Sequence, residues 1–213
     1  MRSTLTGRLA AQPDPEIMEA ESKLSALRMN KTSDNVAIIE QTLVRILFEE
    51  DADDLASTPI MATGDVLSLD FGARSKGICS DMTRTVYLDQ FSDEGRAAYD
   101  TVLRANVAGL AVARAGVTAH EIDDAVISVL DASPYADRIR TKTGHGLDRE
   151  GHDAPYIMRG NDMVLPTGTV DTNEPGLYEL WNFGIRIDDD VQITEGGYDT
   201  LTHSPNELMV LAC

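Results

Sequence analysis

The sequence predicts an α+β protein built on a mainly antiparallel sheet. A strand pair joined by a tight turn lies within Gly64–Tyr87, two capped helices follow it, and further strands occupy the C-terminal third. Runs of β-branched and aromatic residues, bounded by glycine or polar turn residues, are the signal for these strands. The 213 residues are enough for one domain with a substantial core.

The N-terminal part is predicted to contain a tail and one helix. Residues 1–30 are polar and mixed, and we interpret them as a tail or as the remnant of a preceding domain. The folded domain is predicted to comprise residues 31–213. Its first helix has an apolar face formed by Val36, Ile39, Leu43 and Ile46. An acidic run and a loop are expected to lead from this helix to the first strand.

The strand pair within Gly64–Tyr87 contains two aspartates. The turn is predicted within Arg74–Gly77, and a two-residue loop at Ser75-Lys76 places Asp70 opposite Asp81. Facing residues have Cβ atoms about 4.5–5.5 Å apart, so these carboxylates would repel each other. A shared proton, an arginine or a metal ion could neutralise them. A different register, with one aspartate solvated, remains the alternative.

Two helices follow the strand pair. Ser92 is predicted to cap a helix over about Asp93–Ala115, which Gly116 ends. Thr118 begins a capping box and a second helix that extends to about Leu130. Further strands are expected near Thr169–Thr172, Gly184–Thr194 and Thr200–His203, and a short helix over Pro205–Leu211.

The C-terminal third offers more candidate metal ligands. His145 lies between two glycines, and a hairpin centred on Trp181 would place Glu174 opposite Asp188. Taken singly, His145 is more often a structural histidine, Glu174 a solvated acid in a loop and Asp188 an acid on the surface. Two facing carboxylate pairs and an imidazole together form a ligand set that suits manganese, cobalt, iron or zinc.

The sequence resembles the pita-bread metallopeptidases, which include methionine aminopeptidases, Xaa-Pro aminopeptidases and prolidases, with the metal-free creatinase as a relative. The matching blocks are LDFGARSKGICSDMTRTV, TGHGL followed by EGHDAP, TNEPGLY, and GIRIDDDVQIT. The last two are more similar to the Xaa-Pro branch. The resemblance implies a curved, mainly antiparallel sheet with helices on its outer face, and a catalytic-type domain over residues 31–213.

The resemblance also implies a site and a reaction. The implied metal ligands are Asp70, Asp81, His145, Glu174 and Asp188. They would hold two divalent cations, manganese first, with cobalt, zinc or iron as alternatives. Water activated between the two metals would cleave an Xaa-Pro bond in a peptide or dipeptide with proline at its second position. Glu174 would act as general base or proton shuttle, and His152 would contact the substrate or the tetrahedral intermediate.

Several positions depart from the family pattern. Asp188 replaces a glutamate and is one methylene shorter, so it could fail to reach both metals. Asp148 and Asp153 replace the usual glycine and glutamate, and Asp171 replaces an apolar residue. The family also has a longer stretch before the first strand pair, with a helix and a strand that carries another active-site histidine. The resemblance therefore implies that this chain is truncated in its first half, and a homodimer is expected to cover the resulting sheet edge.

Composition excludes some partners. Acidic residues outnumber basic residues by 36 to 18, giving a net charge of −18, which disfavours nucleic-acid phosphate and anionic membranes. Aspartate exceeds glutamate and lysine is scarce, which favours a protein adapted to high salt over a merely acidic one. No apolar run is long enough to span a membrane, no secretory leader is recognisable, and two cysteines favour a reducing cytoplasm.

Two functions from different classes remain after the sequence analysis. The first is a metal-dependent aminopeptidase or dipeptidase that cleaves Xaa-Pro bonds. The alternative is a truncated, weakly active or non-catalytic pita-bread module that binds a peptide or protein. The DFG triplet also occurs in protein kinases, but the sequence has no H-R-D loop or glycine-rich phosphate loop. The retained ligands argue against a metal-free, creatinase-like hydrolase.

Overall fold

The computed structural model describes residues 62–179 and 182–212 of the chain. Several predicted features lie outside the described residues. They are the tail over residues 1–30, the first helix, the shortened stretch before the first strand pair, and Trp181. Among the described helices, none combines the length and the apolar composition that a bilayer crossing requires.

Ten strands and two helices are described. The strands are β1 (Val66–Ser75), β2 (Ile78–Leu88), β3 (Gly144–Gly146), β4 (Asp153–Ile157), β5 (Val170–Asn173), β6 (Gly176–Glu179), β7 (Phe183–Arg186), β8 (Asp189–Ile193), β9 (Tyr198–Thr200) and β10 (Met209–Leu211). The helices are α1 (Asp93–Val112) and α2 (Ala119–Asp131), followed by a short 3-10 turn at Ala136–Arg138. The predicted α+β class is confirmed.

The strands form three sheets that are antiparallel except at one pair. The orders are β1-β2-β10, β4-β3-β5-β8-β9 and β6-β7. The exception is β10, which lies parallel to β2. The predicted helix over Pro205–Leu211 is therefore wrong, because β2 supplies backbone partners that hold Met209–Leu211 extended.

The β1–β2 hairpin has a different register from the predicted one. Its loop is Lys76-Gly77, where both residues have positive φ angles, 52° and 85°. Asp70 consequently pairs with Thr83, and Asp81 pairs with Gly72. The register thus differs from the predicted one by two residues, so both aspartates stay on one face of the hairpin. They are diagonal neighbours, for which the typical spacing is about 7–8 Å, and do not face each other directly.

The second hairpin has the predicted register. Gly176 pairs with Arg186, and the Ile187 N–H donates to the Pro175 carbonyl at 3.4 Å. The predicted continuous strand over Gly184–Thr194 is divided into β7 and β8, however. The chain crosses between sheets at Asp188, whose N–H donates to the Thr83 carbonyl at 3.1 Å.

Both helices begin at the predicted caps. The Ser92 side chain accepts from the Gly95 N–H, and Thr118 forms the complete capping box with Glu121. Helix α1 ends at Val112, earlier than predicted, and Gly116 takes the left-handed conformation beyond it.

The apolar faces of the helices pack on the strands in two clusters. One cluster joins α1 and α2 to β6 and β7, and the other joins α2 to β4 and β8. Members of the first include Tyr99, Val102, Val126, Leu177 and Ile185; members of the second include Ile122, Ile157, Leu165 and Ile193. This packing leaves the opposite sheet surface to the polar residues described next.

Candidate metal centre

His145 is held in a narrow position between two strands. A Cβ atom on Gly144 would overlap the Thr172 carbonyl of β5, and one on Gly146 would overlap the Ala154 carbonyl of β4. The glycines on either side of His145 are therefore required by close strand packing. They fix the histidine backbone, and its side chain is fully buried.

The hydrogen bond of the His145 ring indicates its tautomer. Nδ1 lies 3.1 Å from the Gly146 carbonyl, which can only accept, so Nδ1 carries the proton. Burial lowers the pKa of His145 and so favours the neutral ring. Nε2 then presents a lone pair and has no hydrogen-bond partner. A donated Nδ1–H with a free Nε2 is the usual arrangement of a metal-binding histidine.

Two predicted ligands lie beside that lone pair. His145 Nε2 is 3.6 Å from Asp81 Oδ2 and 3.3 Å from Glu174 Oε1. Burial raises the pKa of Asp81, and the nearby Asp70 charge adds to this. Burial also raises the pKa of Glu174, against the opposing charge of Arg186. Two carboxylates that face a lone pair require a positive charge or a proton between them.

Asp188 places a fourth donor group in this cluster. The residue is fully buried, and neither carboxylate oxygen has a hydrogen-bond partner. Burial raises its pKa well above the usual value, and the charges of Asp81 and Glu174 contribute to the same shift. Leaving a buried carboxylate without donors costs free energy, so this group is an apt ligand for a cation.

Asp70 is held by Arg186. The Arg186 Nη2 atom forms an ion pair with Asp70 Oδ2, while Nε donates to Thr83 Oγ1 at 2.9 Å and lies 3.8 Å from Glu174 Oε2. Sequence reasoning allowed an arginine as a neutralising partner but did not single out Arg186. The signal was a cationic residue between Ile185 and Ile187 in an otherwise apolar strand.

His152 lies at the open side of the cluster. Its ring centroid is 4.0 Å from that of His145, with the planes tilted by 32°. It lines a cleft of about 320 Å³ together with Asp81, Arg74 and Cys79. His152 is exposed, so a molecule in this cleft can reach both its ring and the carboxylate of Asp81.

The donor set fits a divalent cation, although the ligands are not fully convergent. Within residues 62–179 and 182–212, no three acidic, histidine or cysteine side chains approach closely enough to form a ready cage. The pairwise contacts nevertheless bring Asp81 and Glu174 to His145, and the charges of both carboxylates act on the buried Asp188. Carboxylate oxygens with one neutral imidazole suit manganese, cobalt, zinc or iron.

The other departures from the family pattern lie around this cluster. The Asp148 carbonyl accepts from the Cys79 N–H at 2.7 Å, and Asp153 Oδ1 accepts from the Ala154 N–H at 2.9 Å. Asp171 is buried, and its Oδ1 has no partner. Burial, with a contribution from Asp190, raises the pKa of Asp171 to about 8.

Comparison with known proteins identifies related sequences. The profile of metallopeptidase family M24 matches residues 20–195. An uncharacterized peptidase of Bacillus subtilis is 42% identical over 157 residues, which are 74% of this chain and 44% of that protein. An Xaa-Pro dipeptidase of Lactobacillus helveticus is 32% identical over 147 residues, covering 69% of this chain and 40% of that protein. The chain thus spans less than half the length of these two relatives.

Solved structures share the fold. An Xaa-Pro dipeptidase from Bacillus anthracis superposes with a TM-score of 0.71 at 39% identity, over 73% of this chain and 44% of that one. A dipeptidase from Mycobacterium ulcerans gives a TM-score of 0.73 at 27% identity and covers 65% of that chain. These similarities confirm the predicted pita-bread fold.

Proposed function

The chain belongs to metallopeptidase family M24, and we propose that it hydrolyses peptides or dipeptides with proline at the second position, using two bound divalent cations. The relatives named Xaa-Pro dipeptidase support this substrate class. The activity is a proposal because the relatives that carry this name are more than twice as long as the part that this chain matches.

One observation carries the proposal: the buried His145 ring directs an unpartnered Nε2 toward two carboxylates, of which Glu174 is buried and Asp81 is partly exposed. The nearest oxygens are those of Glu174 at 3.3 Å and Asp81 at 3.6 Å. Asp188 adds a buried carboxylate with two unpartnered oxygens. A purely structural cluster would satisfy these atoms with hydrogen bonds, whereas a metal centre leaves them free for ligation.

We propose that Asp70, Asp81, His145, Glu174 and Asp188 hold the cations, manganese in the first instance. Bound cations would supply a strong nucleophile from water at neutral pH and positive charge for the scissile carbonyl oxygen. The contact of Arg186 with Asp70 would orient that carboxylate.

The remaining chemistry belongs to side chains of the cluster. Glu174 is suited to accept the proton of the attacking water on a carboxylate oxygen, because burial raises its pKa and so makes it a stronger base than an exposed glutamate. It can then deliver that proton to the leaving proline nitrogen. We propose that His152, which is exposed at the cleft with its ring tilted against that of His145, donates to the developing oxyanion.

The decisive experiment is hydrolysis of Xaa-Pro dipeptides by the purified chain at saturating manganese. We expect slow, metal-dependent cleavage that chelator abolishes and that Asp81→Asn eliminates. Manganese should also raise the melting temperature of the wild type and leave that of Asp81→Asn unchanged, because a ligand that binds the folded state stabilises it. Absence of both effects would contradict the proposal.

A non-catalytic peptide-binding module is the second candidate. The Arg186–Asp70 ion pair favours it, because an arginine that neutralises a predicted ligand can stabilise the cluster without a second cation. Peptide binding without cleavage at saturating manganese would establish this function instead.

A further inference from the structure

A buried hydrogen-bond network lies behind the candidate metal centre. Its central residue is Asn106 of helix α1, which is fully buried. The Asn106 amide donates both to the Asn173 carbonyl, at 3.1 Å, and to Asp189 Oδ2, at 3.2 Å. Asn173 returns a bond to the Asn106 carbonyl at 2.9 Å.

The two partners of Asn106 are sequence neighbours of two proposed ligands. Asn173 directly precedes Glu174, and Asp189 directly follows Asp188. One side-chain amide therefore bonds both segments that deliver these carboxylates, one at the end of β5 and one at the start of β8.

Arg84 fixes the Asp188 side of the same network. Its guanidinium, 1% exposed, donates from Nη2 to Asp189 Oδ1 at 2.7 Å and from Nη1 to the Asp188 carbonyl at 2.7 Å. Asn206 also donates to Asp189 Oδ2, at 2.9 Å. With these bonds made, the Asp189 carboxylate is used to hold its segment and is not available as a ligand.

Helix α1 also approaches β5 closely next to Asn106. A Cβ atom on Gly109 would lie 2.7 Å from Asn173 Oδ1 and 2.6 Å from Val126. The helix is thus packed directly against the Asn173 amide, and a displacement of α1 would be transmitted to the main chain before Glu174.

We propose that Asn106 is a positioning residue that sets the separation between Glu174 and Asp188, and thereby the affinity of the site for metal. This inference rests on the proposed function. This positioning matters most for Asp188, because its short side chain has only two rotatable bonds and its carboxylate therefore moves with the backbone. A longer glutamate could adjust its reach when the backbone moves.

The test compares Asn106→Leu and Asn106→Ser with the wild type by calorimetric titration of the metal-free full chain with manganese. Leucine keeps the branched shape and the number of side-chain heavy atoms and removes both bonds, while serine can donate to only one partner. Thr101→Val is the matched control: Thr101 is buried on the same helix, but its hydroxyl bonds the Ala97 carbonyl of that helix. Melting temperatures and the visible spectrum of the cobalt-loaded proteins are recorded in parallel.

We expect both Asn106 variants to bind manganese about 10-fold or more weakly, in the range typical for residues that orient metal ligands. Thr101→Val should bind like the wild type even where its melting temperature falls. Adding Asp188→Glu should reduce the loss caused by Asn106→Ser, because glutamate can adapt.

Unchanged manganese affinity and cobalt spectra in a folded Asn106 variant would overturn the positioning role and leave the proposed function intact. If Asn106→Leu does not fold, Asn106→Ser decides the question alone. A wild type that binds no manganese would instead refute the proposed metal site, and the role of Asn106 with it.

Discussion

Asp188 presents its carboxylate on a side chain one methylene shorter than the glutamate that the family resemblance implies. Its backbone is held at both ends of the residue, by the Thr83 carbonyl and by Arg84. The short side chain therefore has little freedom to compensate for an imperfect distance. We infer that the protein binds one cation tightly and a second one weakly.

Asp188→Glu should raise the manganese stoichiometry measured at low micromolar metal and increase kcat/KM for an Xaa-Pro dipeptide. Because position 188 is fully buried, the added methylene should destabilise the metal-free chain by about 1–3 kcal/mol. Asp199→Glu, the same change on the exposed strand β9, is the control. Identical stoichiometry and rates in the wild type and Asp188→Glu would show that the shorter residue is not limiting.

Asp171 provides a pH-dependent prediction. Its pKa is raised to about 8 in the folded chain from a usual value of 3.8, so the unfolded state releases this proton first as pH rises. The contribution of Asp171 to stability is complete below pH 3.8 and declines until about pH 8.

Asp171→Asn removes this titration while keeping the size of the side chain. In chelator, its free energy of unfolding should exceed that of the wild type by several kcal/mol near pH 8, with little difference near pH 4, because raising the pKa from 3.8 to about 8 corresponds to at most about 6 kcal/mol. Urea unfolding at several pH values measures this gap, and Asp199→Asn controls for loss of a surface charge. A gap that does not grow with pH would show that Asp171 titrates normally.

At the scale of elements, sequence reasoning located the hairpins and caps but misplaced one register. The first hairpin needs positive φ at both loop residues, which Lys76-Gly77 supplies with glycine second. Placing the loop one residue earlier moved the pairing by two positions. Because a shift of two positions does not change the face on which each side chain lies, Asp70 and Asp81 share a face as predicted.

Long-range contacts explain what the sequence could not predict. Met209–Leu211 is extended because it pairs with β2, more than a hundred residues earlier in the chain. The same holds for the candidate site: the family resemblance implied a set of ligands, but the bonds of Arg186 and Asn106 depend on how distant elements pack. Local patterns carry no signal for such contacts.

The capping box of α2 gives a prediction for one element. Thr118 Oγ1 accepts from the Glu121 N–H at 3.1 Å, and the Glu121 carboxylate accepts from the Thr118 N–H at 2.7 Å. Thr118→Ala should lower the free energy of unfolding by about 1 kcal/mol, or a few degrees in melting temperature. Ser128→Ala, on the exposed face of the same helix, should be neutral or slightly stabilising. Equal losses in both variants would argue against a specific capping effect.

At the scale of the whole molecule, the charge of −18 is the dominant feature. Many carboxylates are exposed, among them Asp124, Asp137 and Glu150. Exposed ion pairs contribute at most about 1 kcal/mol each, so they do not offset the general repulsion. Folding concentrates this like charge, and the repulsion opposes the compact state.

Salt should relieve this repulsion. The screening length falls from about 10 Å at 0.1 M to about 3 Å at 1 M, so charges on neighbouring surface residues cease to interact. We therefore expect the melting temperature to rise steadily from dilute buffer to molar potassium chloride. Potassium sulfate at equal ionic strength separates screening from general salting-out, which strengthens apolar burial and is larger for sulfate. Equal gains in both salts indicate screening and adaptation to high salt. Equal melting temperatures in dilute buffer and in molar potassium chloride would show an acidic protein that does not depend on salt. Charge repulsion strong enough to require high salt must also destabilise the fold when salt is absent.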